Sequence, residues 1–351
     1  MPDQAHNDEA PRLHDVARAA GVSVSTVSRA ISRPELVNAQ TLDRVQRVVA
    51  QTGFRLSRVA RRLRTRRGPT NLIGLLIPDI QNPFFAEVAR GVEDVAQAHG
   101  YVTMLANSDE DAARESRFLD VMRDESVDGV ILPAVSGGGE AVERLAHARI
   151  PVVYVDRRPP RITGDTVVID NERGARDATE HLLGLGHRRI AFIQGRPDLS
   201  TSRERLAGYR GALEDAGVAY EPALVGAGDG RQASGDDLAR ALLGTQARPT
   251  ALLAGNSLMT MGALTAIHSM GLRIPDDVAL IGYDDMPWAQ VVDPPLTVVR
   301  QPAHAIGRRA MELLLRRVAD PAREAQLVAL QPELVVRRSS GALSVPGAAQ
   351  R

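Results

Sequence analysis

The chain reads as an α/β protein: an all-helical N-terminal helix-turn-helix domain, then two doubly wound parallel-sheet subdomains. Three observations predict this. Its 351 residues are enough for two or three domains. Up to Gly68-Pro69, apolar side chains recur at helical spacing. Beyond that point, continuous apolar runs of strand length alternate with amphipathic runs of helix length, the texture of parallel sheets covered on both faces.

In LHDVARAAGVSVSTVSRAIS, from Leu13, the residues Val16, Ala17 and Ala20 lie on one helical face. Gly21 stops that helix where the backbone needs positive φ. Ser23 caps a second helix starting at Val24. There Val27, Ala30 and Ile31 cluster on one side and Ser25, Arg29 and Ser32 on the other. Ala17, Gly21 and Val27 have the spacing of two crossed helices joined by a tight turn. A third helix fits 39–52, capped by Asn38, buried through Leu42, Val45, Val48 and Val49, and closed by Gly53 and Phe54. The plainer alternative, a buried helical hairpin without a ligand, does not account for the polar, arginine-bearing exposed face.

Charge supports a polyanionic partner for this head. Formal net charge is zero, yet residues 1–68 carry 13 Arg against 6 acidic residues, and the rest 30 Arg against 37. SRVARRLRTRRG, from Ser57 to Gly68, holds six of those arginines. Within it Ser57 can cap a helix, and Val59, Ala60 and Leu63 share one side, but the segment is too short to be stable alone. A flexible basic linker is the competing reading.

In the body, LIGLLI (72–77), VTMLA (102–106), DGVILP (128–133), VVYVD (152–156), RIAFI (189–193), TALLA (250–254) and VALIGYD (278–284) read as strands. FAEVARGVEDVAQAHG and RERLAGYRGALEDAG read as helices between them. The pattern breaks near 157–170 and 285–300, as two similar halves joined by several crossings would require. Ligands of such sheets bind at the carboxyl ends of the strands. The residues placed there are Asn82, Phe84 and Phe85 after the first strand, Asp156 and Arg157 at the end of the fourth, and Arg203 after the fifth. Asn256, Asp284 and Gln301 follow later strands. Carboxylates, amides and arginine suit a polyol's hydroxyls, and aromatic rings its C–H surface. Core packing is the plainer reading of Phe84, and a strand-end cap that of Asp284.

Several classes are excluded. With no cysteine there is no disulfide, thiolate metal site or cysteine nucleophile. Histidines are scattered, no G-x-S-x-G elbow appears, and the GGG at 137–139 lacks the lysine of a phosphate loop. The chain is therefore read as no enzyme, with no metal and no cofactor. No window approaches eighteen apolar residues, so no membrane span is expected. The polar N-terminus MPDQAHNDEAPRL lacks a signal-peptide core, which predicts a cytoplasmic protein.

DVARAAGVSVSTVSRAIS followed by GFRLSRVARRL resembles the DNA-binding head of the LacI/GalR family of bacterial transcription regulators, and the resemblance covers about residues 12–340. It implies a helix-turn-helix domain at 12–56, a hinge at 57–69 and an effector-binding, dimerising body at 70–341. The body is similar to periplasmic sugar-binding proteins, implying an N-subdomain of about 71–168 and 300–327 and a C-subdomain of about 169–299 and 328–341, with ligand between. By resemblance, Val24, Ser25 and Arg29 face base edges, while Ser23, Thr26, Ser28 and Asn38 hold phosphates. Ser57, Ala60 and Leu63 belong to the hinge, with Leu63 as a minor-groove wedge. The implied partners are double-stranded operator DNA, a sugar, polyol or nucleoside-like effector, and a second copy of the chain. A transport-type sugar-binding protein is the competing class; the helix-turn-helix argues against it.

The chain departs from the family pattern in four places. Ser32 stands where asparagine is usual and Leu56-Ser57 where Pro-Asn is. Gly230 replaces a common aromatic after Gly-Asp, removing a stacking wall. Asn256-Ser257 replaces Asn-Asp and is expected to loosen a helix start, while Arg205, in RLAGY, is expected to brace the cleft.

Overall fold

The computed structural model describes residues 12–54, 69–133, 139–159 and 164–341, without the Ser32 side chain. The hinge candidates Ser57, Ala60 and Leu63 lie outside the described residues. The chain divides into two compact units, Met1–Thr70 and Asn71–Arg351.

The first unit contains α1 (Leu13–Ala20), α2 (Val24–Ser32) and α3 (Ala39–Thr52). Gly21 takes φ 61° after α1, a conformation that glycine adopts at no Cβ cost. Ser23 Oγ caps α2 by accepting from Thr26 N at 3.1 Å, and Asn38 Oδ1 caps α3 by accepting from Thr41 N at 2.8 Å. Val16, Ala17, Ala20, Val27, Ala30, Val45 and Phe54 form the core. Ile31 departs from expectation: it is exposed, at the edge of the buried face of α2.

Among the described residues the second unit holds two six-stranded sheets. The first comprises β1 (Leu72–Ile77), β2 (Val102–Asn107), β3 (Gly129–Pro133), β4 (Val152–Asp156), β5 (Asp165–Ile169) and β11 (Leu327–Leu330). The second comprises β6 (Ile190–Gln194), β7 (Val225–Ala227), β8 (Ala251–Ala254), β9 (Ala279–Tyr283), β10 (Thr297–Arg300) and β12 (Glu333–Val335). Strand orders are β11-β5-β4-β3-β1-β2 and β12-β10-β9-β8-β6-β7, the same path twice. Only the last-added edge differs: β11 runs parallel to β5, whereas β12 runs antiparallel to β10.

The two breaks in the strand pattern are thus partly strands. DTVVI and TVVR are short and lie next to the crossings, where chain direction rather than composition carries the signal. The subdomain limits also move. Arg300 ends β10 in the second sheet, and residues 328–330 pair with β5 in the first, so the last crossing lies between β11 and β12. The limits at 300 and 327/328 are corrected accordingly.

Helices cover both faces. They are α4 (Pro83–Ala98), α5 (Ala112–Asp124), α6 (Gly139–His147), α7 (Asn171–Gly184), α8 (Ser200–Asp215), α9 (Gln232–Leu243), α10 (Ser257–Ser269) and α11 (Ala303–Ala319). α4 and α11 cross where glycine is required: a Cβ on Gly307 would stand 1.9 Å from the Val88 carbonyl oxygen. The N-termini of α4, α10 and α11 directly follow strand ends, which brings Asn82, Asn256 and Gln301 to one region.

Candidate ligand cleft and nucleic-acid interface

A cavity of about 110 Å³ opens between the two sheets at the carboxyl ends of their strands. Eight of the nine ligand candidates line it: Asn82, Phe84, Phe85, Asp156, Arg157, Asn256, Asp284 and Gln301. Phe84 and Phe85 meet edge to face, centroids 5.0 Å apart, and also belong to the core of the first half. The plainer reading of Phe84 therefore holds alongside the cleft position.

The wall from the second half is largely bonded within itself, although the buried Tyr283 hydroxyl has no hydrogen-bond partner among the described residues. Arg205, buried, donates from Nε to Asn171 Oδ1 at 2.9 Å, from Nη2 to Gln301 Oε1 at 3.0 Å, and from Nη1 to the Gly255 carbonyl. Its guanidinium also lies 4.2 Å from the Tyr283 ring centroid. Gln301 Nε2 donates to Asp284 Oδ1 at 2.6 Å, and Ser257 N donates to Asp284 Oδ2 at 3.2 Å. Burial pushes the Asp284 carboxyl up, opposed by the Gln301 hydrogen bond and the Arg205 charge. Asn256 is used at both ends: Oδ1 caps α10 through Met259 N at 2.7 Å and Nδ2 donates to the Gly230 carbonyl at 2.8 Å. The α10 start is thus capped and not loosened by the Asn-Ser pair.

The wall from the first half is less satisfied. Arg157 donates from Nη1 to Glu110 Oε2 at 2.8 Å and from Nη2 to Glu110 Oε1, while its buried Nε has no hydrogen-bond partner among the described residues. Asp156 lies beside it, Oδ2 to Arg157 Nε 3.4 Å, and accepts no hydrogen bond among the described residues. Burial pushes the Asp156 carboxyl up to about 6 against the pull of Arg157. Behind this wall Glu115, on the first turn of α5, is 1% exposed, and both carboxylate oxygens lack hydrogen-bond partners among the described residues. Burial pushes it up to about 7, with Arg157 pulling the other way.

Arg203 needs correction. It is exposed, does not line the cavity, and donates to the Pro197 carbonyl at 3.3 Å and the Asp198 carbonyl at 2.6 Å. The reason is helix phase. α8 starts at Ser200, not after Arg203, and residues two apart on a helix point about 200° apart, so only one of Arg203 and Arg205 can face inward. Arg205 does so, and braces the cleft as expected. Sequence reasoning missed Glu110, Arg196, Thr201, Ser202 and Arg231, which also line the cavity. The hydroxyl run in LSTS, at the start of α8, was a usable signal for Thr201 and Ser202.

On the first unit, Val24, Ser25 and Arg29 are exposed on α2, Val24 at 42%. Ser23 Oγ lies 2.8 Å from both Ser25 Oγ and Thr26 Oγ1, so these hydroxyls cluster at the α2 N-terminus. Ser28 is half-buried on the same helix, and Asn38 is exposed at the start of α3. An exposed helix with a hydroxyl-lined N-terminus and one long donor suits a major-groove reader.

Comparison with known proteins decides the assignment. Residues 12–57 match the family of bacterial regulatory proteins, lacI family, and residues 179–340 match a periplasmic binding protein-like domain. The chain is 34% identical over 330 residues to the HTH-type transcriptional repressor PurR of Aliivibrio fischeri (strain MJ11), spanning 93% of this chain and 97% of that protein. It belongs to the lacI family. Two solved lacI-type structures resemble it in fold. A transcriptional regulator CelR–cellobiose complex is 34% identical with a TM-score of 0.72, spanning 94% of this chain and 99% of that one. The lac repressor dimer bound to operator and the anti-inducer ONPF is 27% identical with a TM-score of 0.83, spanning 95% and 100%. As a lacI-family member the chain is a DNA-binding transcriptional regulator whose body is the periplasmic-binding-protein-like module. Among the described residues no helix is long and apolar enough to cross a membrane.

Proposed function

We propose that the protein is a repressor that binds a two-fold-related operator as a homodimer in the cytoplasm, under the control of a small hydroxylated effector held in the cleft. The observation that carries the effector reading is Asp156: a nearly buried carboxylate that lines the cavity and accepts no hydrogen bond among the described residues. Such a group suits a ligand that brings hydroxyl or amide donors. Asn82, Phe84, Phe85, Arg157, Thr201 and Ser202 surround the ligand from the same cavity, while Asp284, Asn256 and Gln301 shape its far wall. A sugar, polyol or nucleoside fits these chemistries, and the relatives point the same way: one solved neighbour holds cellobiose. Gly230, at φ 90°, offers no ring for stacking, so Phe84 and Phe85 supply the aromatic surface. Thermal-shift screening of sugars, polyols and nucleosides tests this, because a bound ligand raises apparent stability by mass action.

On DNA, Val24, Ser25 and Arg29 read base edges, and Ser23, Thr26, Ser28 and Asn38 hold phosphates. The 57–69 hinge, with Ser57, Ala60 and Leu63, orders on the operator and presses Leu63 into the minor groove between flanking arginines. One helix-turn-helix reads too few base pairs for specificity, so two copies are needed; a solved relative is a dimer on operator. Arg29→Ala should cost about 1–3 kcal/mol, concentrated at one base position per half-site. Gel-shift titration on systematically varied operators measures it, and equal affinity for scrambled DNA would overturn the reading.

A further inference from the structure

A continuous chain of side-chain bonds starts in the first half of the body, runs through the second and returns to the first. At the cleft rim Arg158, two residues after β4, donates from Nε to Glu204 Oε1 at 3.0 Å, and its backbone N donates to Ser200 Oγ at 3.0 Å. Glu204 Oε2 accepts from Asn171 Nδ2 at 3.0 Å. Asn171 Oδ1 accepts from Arg205, which reaches Gln301, then Asp284, then the backbone of Ser257. The Ser257 hydroxyl crosses back to Asn82 Oδ1 at 3.3 Å.

Two members of this chain stand at the crossings between the halves. Asn171 opens α7 directly after the first crossing, and Gln301 follows β10 at the second. Arg205 therefore clasps both crossings with one guanidinium. The Asn171 amide has a fixed sense, since Nδ2 is held by Glu204 and Oδ1 is left to accept from Arg205 Nε. Neither Arg158 nor Glu204 lines the cavity, so neither needs to touch a ligand.

We propose that Arg158 and Glu204 form a latch that holds the two halves closed, and that Glu204 is a positioning residue which, through Asn171, ties the state of the rim to Arg205 at the crossings. Closure docks Arg158 on the first turn of α8; opening frees Glu204 and with it the Asn171 amide that orients Arg205. Only the latch's regulatory meaning rests on the effector reading above; the latch itself acts in the ligand-free protein, so each can fail without the other. A charged pair at a half-exposed rim has the right strength for a switch: strong enough to bias two states, weak enough to be overcome by binding.

The absence of native cysteine makes the test direct. The full-length chain carrying Glu87→Cys on α4 and Asp237→Cys on α9, both exposed, is nitroxide-labelled, and the inter-label distance distribution is measured by pulsed dipolar spectroscopy without ligand. Arg158→Met and Glu204→Gln should shift the distribution to longer distances and broaden it. Arg158→Lys, which keeps the charge, should preserve it, whereas a merely space-filling role for the side chain would make the lysine and methionine variants behave alike. Raising salt to about 1 M on the otherwise unsubstituted labelled protein should reproduce the lengthening, since screening then acts over about 3 Å, and this needs no folded variant. Distributions that superimpose with and without Arg158→Met, or with and without salt, overturn the latch.

Discussion

The two walls of the cleft are built on the same strand order and treat the same residue in opposite ways. β4 and β9 occupy equivalent places in their sheets, and each is capped at its carboxyl end by a buried aspartate with positive φ: Asp156 at 65° and Asp284 at 69°. A non-glycine residue holds that conformation only where its surroundings enforce it. Asp284 accepts from Gln301 and Ser257, and its neighbours Arg205 and Asn256 are committed to further bonds. Among the described residues Asp156 accepts no hydrogen bond and meets Arg157 Nε as an ion pair at 3.4 Å, and the Glu115 carboxylate behind them has no hydrogen-bond partner. One wall ties Arg205, Asp284, Asn256 and Gln301 into one another and their neighbours, although its Tyr283 hydroxyl has no partner among the described residues. The other is less satisfied within the described residues, and it is the side on which the proposed effector reading rests. Fold symmetry thus sets equivalent strand ends on the two sides, and local bonding makes them differ.

The contrast breaks most visibly at Arg205. Arg205→Ala strands acceptors on Asn171, Gly255 and Gln301 inside the more fully bonded wall, and should cost about 3–5 kcal/mol, as removing one partner from a buried charged network does. Denaturant titration checks it; a loss under about 1 kcal/mol would mean that the wall is not the integrated unit described.

The less satisfied wall should respond with the opposite sign. The Glu115 carboxyl is raised by burial to about 7, so ionising it opposes folding. That penalty is absent below the ordinary carboxyl value of 4.5, grows between 4.5 and about 7, and is complete above. Glu115→Gln should therefore be more stable than the parent at pH 8, by up to about 3 kcal/mol, with the gain shrinking towards pH 5. Unfolding titrations at both pH values measure the difference, and a pH-independent gap would assign the effect to shape and not charge.

The smallest effect is expected at Arg203. Its donors meet only loop carbonyls at the surface, so Arg203→Ala should stay within about 0.5 kcal/mol and leave any effector response intact. A lost response at Arg203 with a normal one at Arg205→Ala would reverse the helix-phase assignment.

Much of this was legible in the chain. Caps and glycines marked the three head helices: Ser23, Asn38, Gly21 and Gly53 each act locally, through their own turn. Long apolar runs marked the central strands, because a strand covered on both faces is apolar throughout. The strand-end rule placed Asn82, Asp156, Asn256, Asp284 and Gln301 beside one cavity. Short strands at crossings, such as DTVVI, TVVR and LVAL, were not legible as such, since their order in the sheet depends on partners elsewhere in the chain, for DTVVI and LVAL more than a hundred residues apart. Glu110, a polar loop residue in sequence, becomes a cleft residue only through its pairing with Arg157, 47 positions on.

The sequence alone determined the head, the doubled α/β body and the strand ends at which a ligand must sit, because turns, caps and apolar period are properties of neighbours along the chain. The tertiary structure alone decided which arginine of the RERLAG run faces inward, which carboxylates are hydrogen-bonded and which are only ion-paired, and that Arg158 reaches Glu204 across the cleft. Those outcomes depend on helix phase and on distances across two sheets, which composition and spacing do not encode.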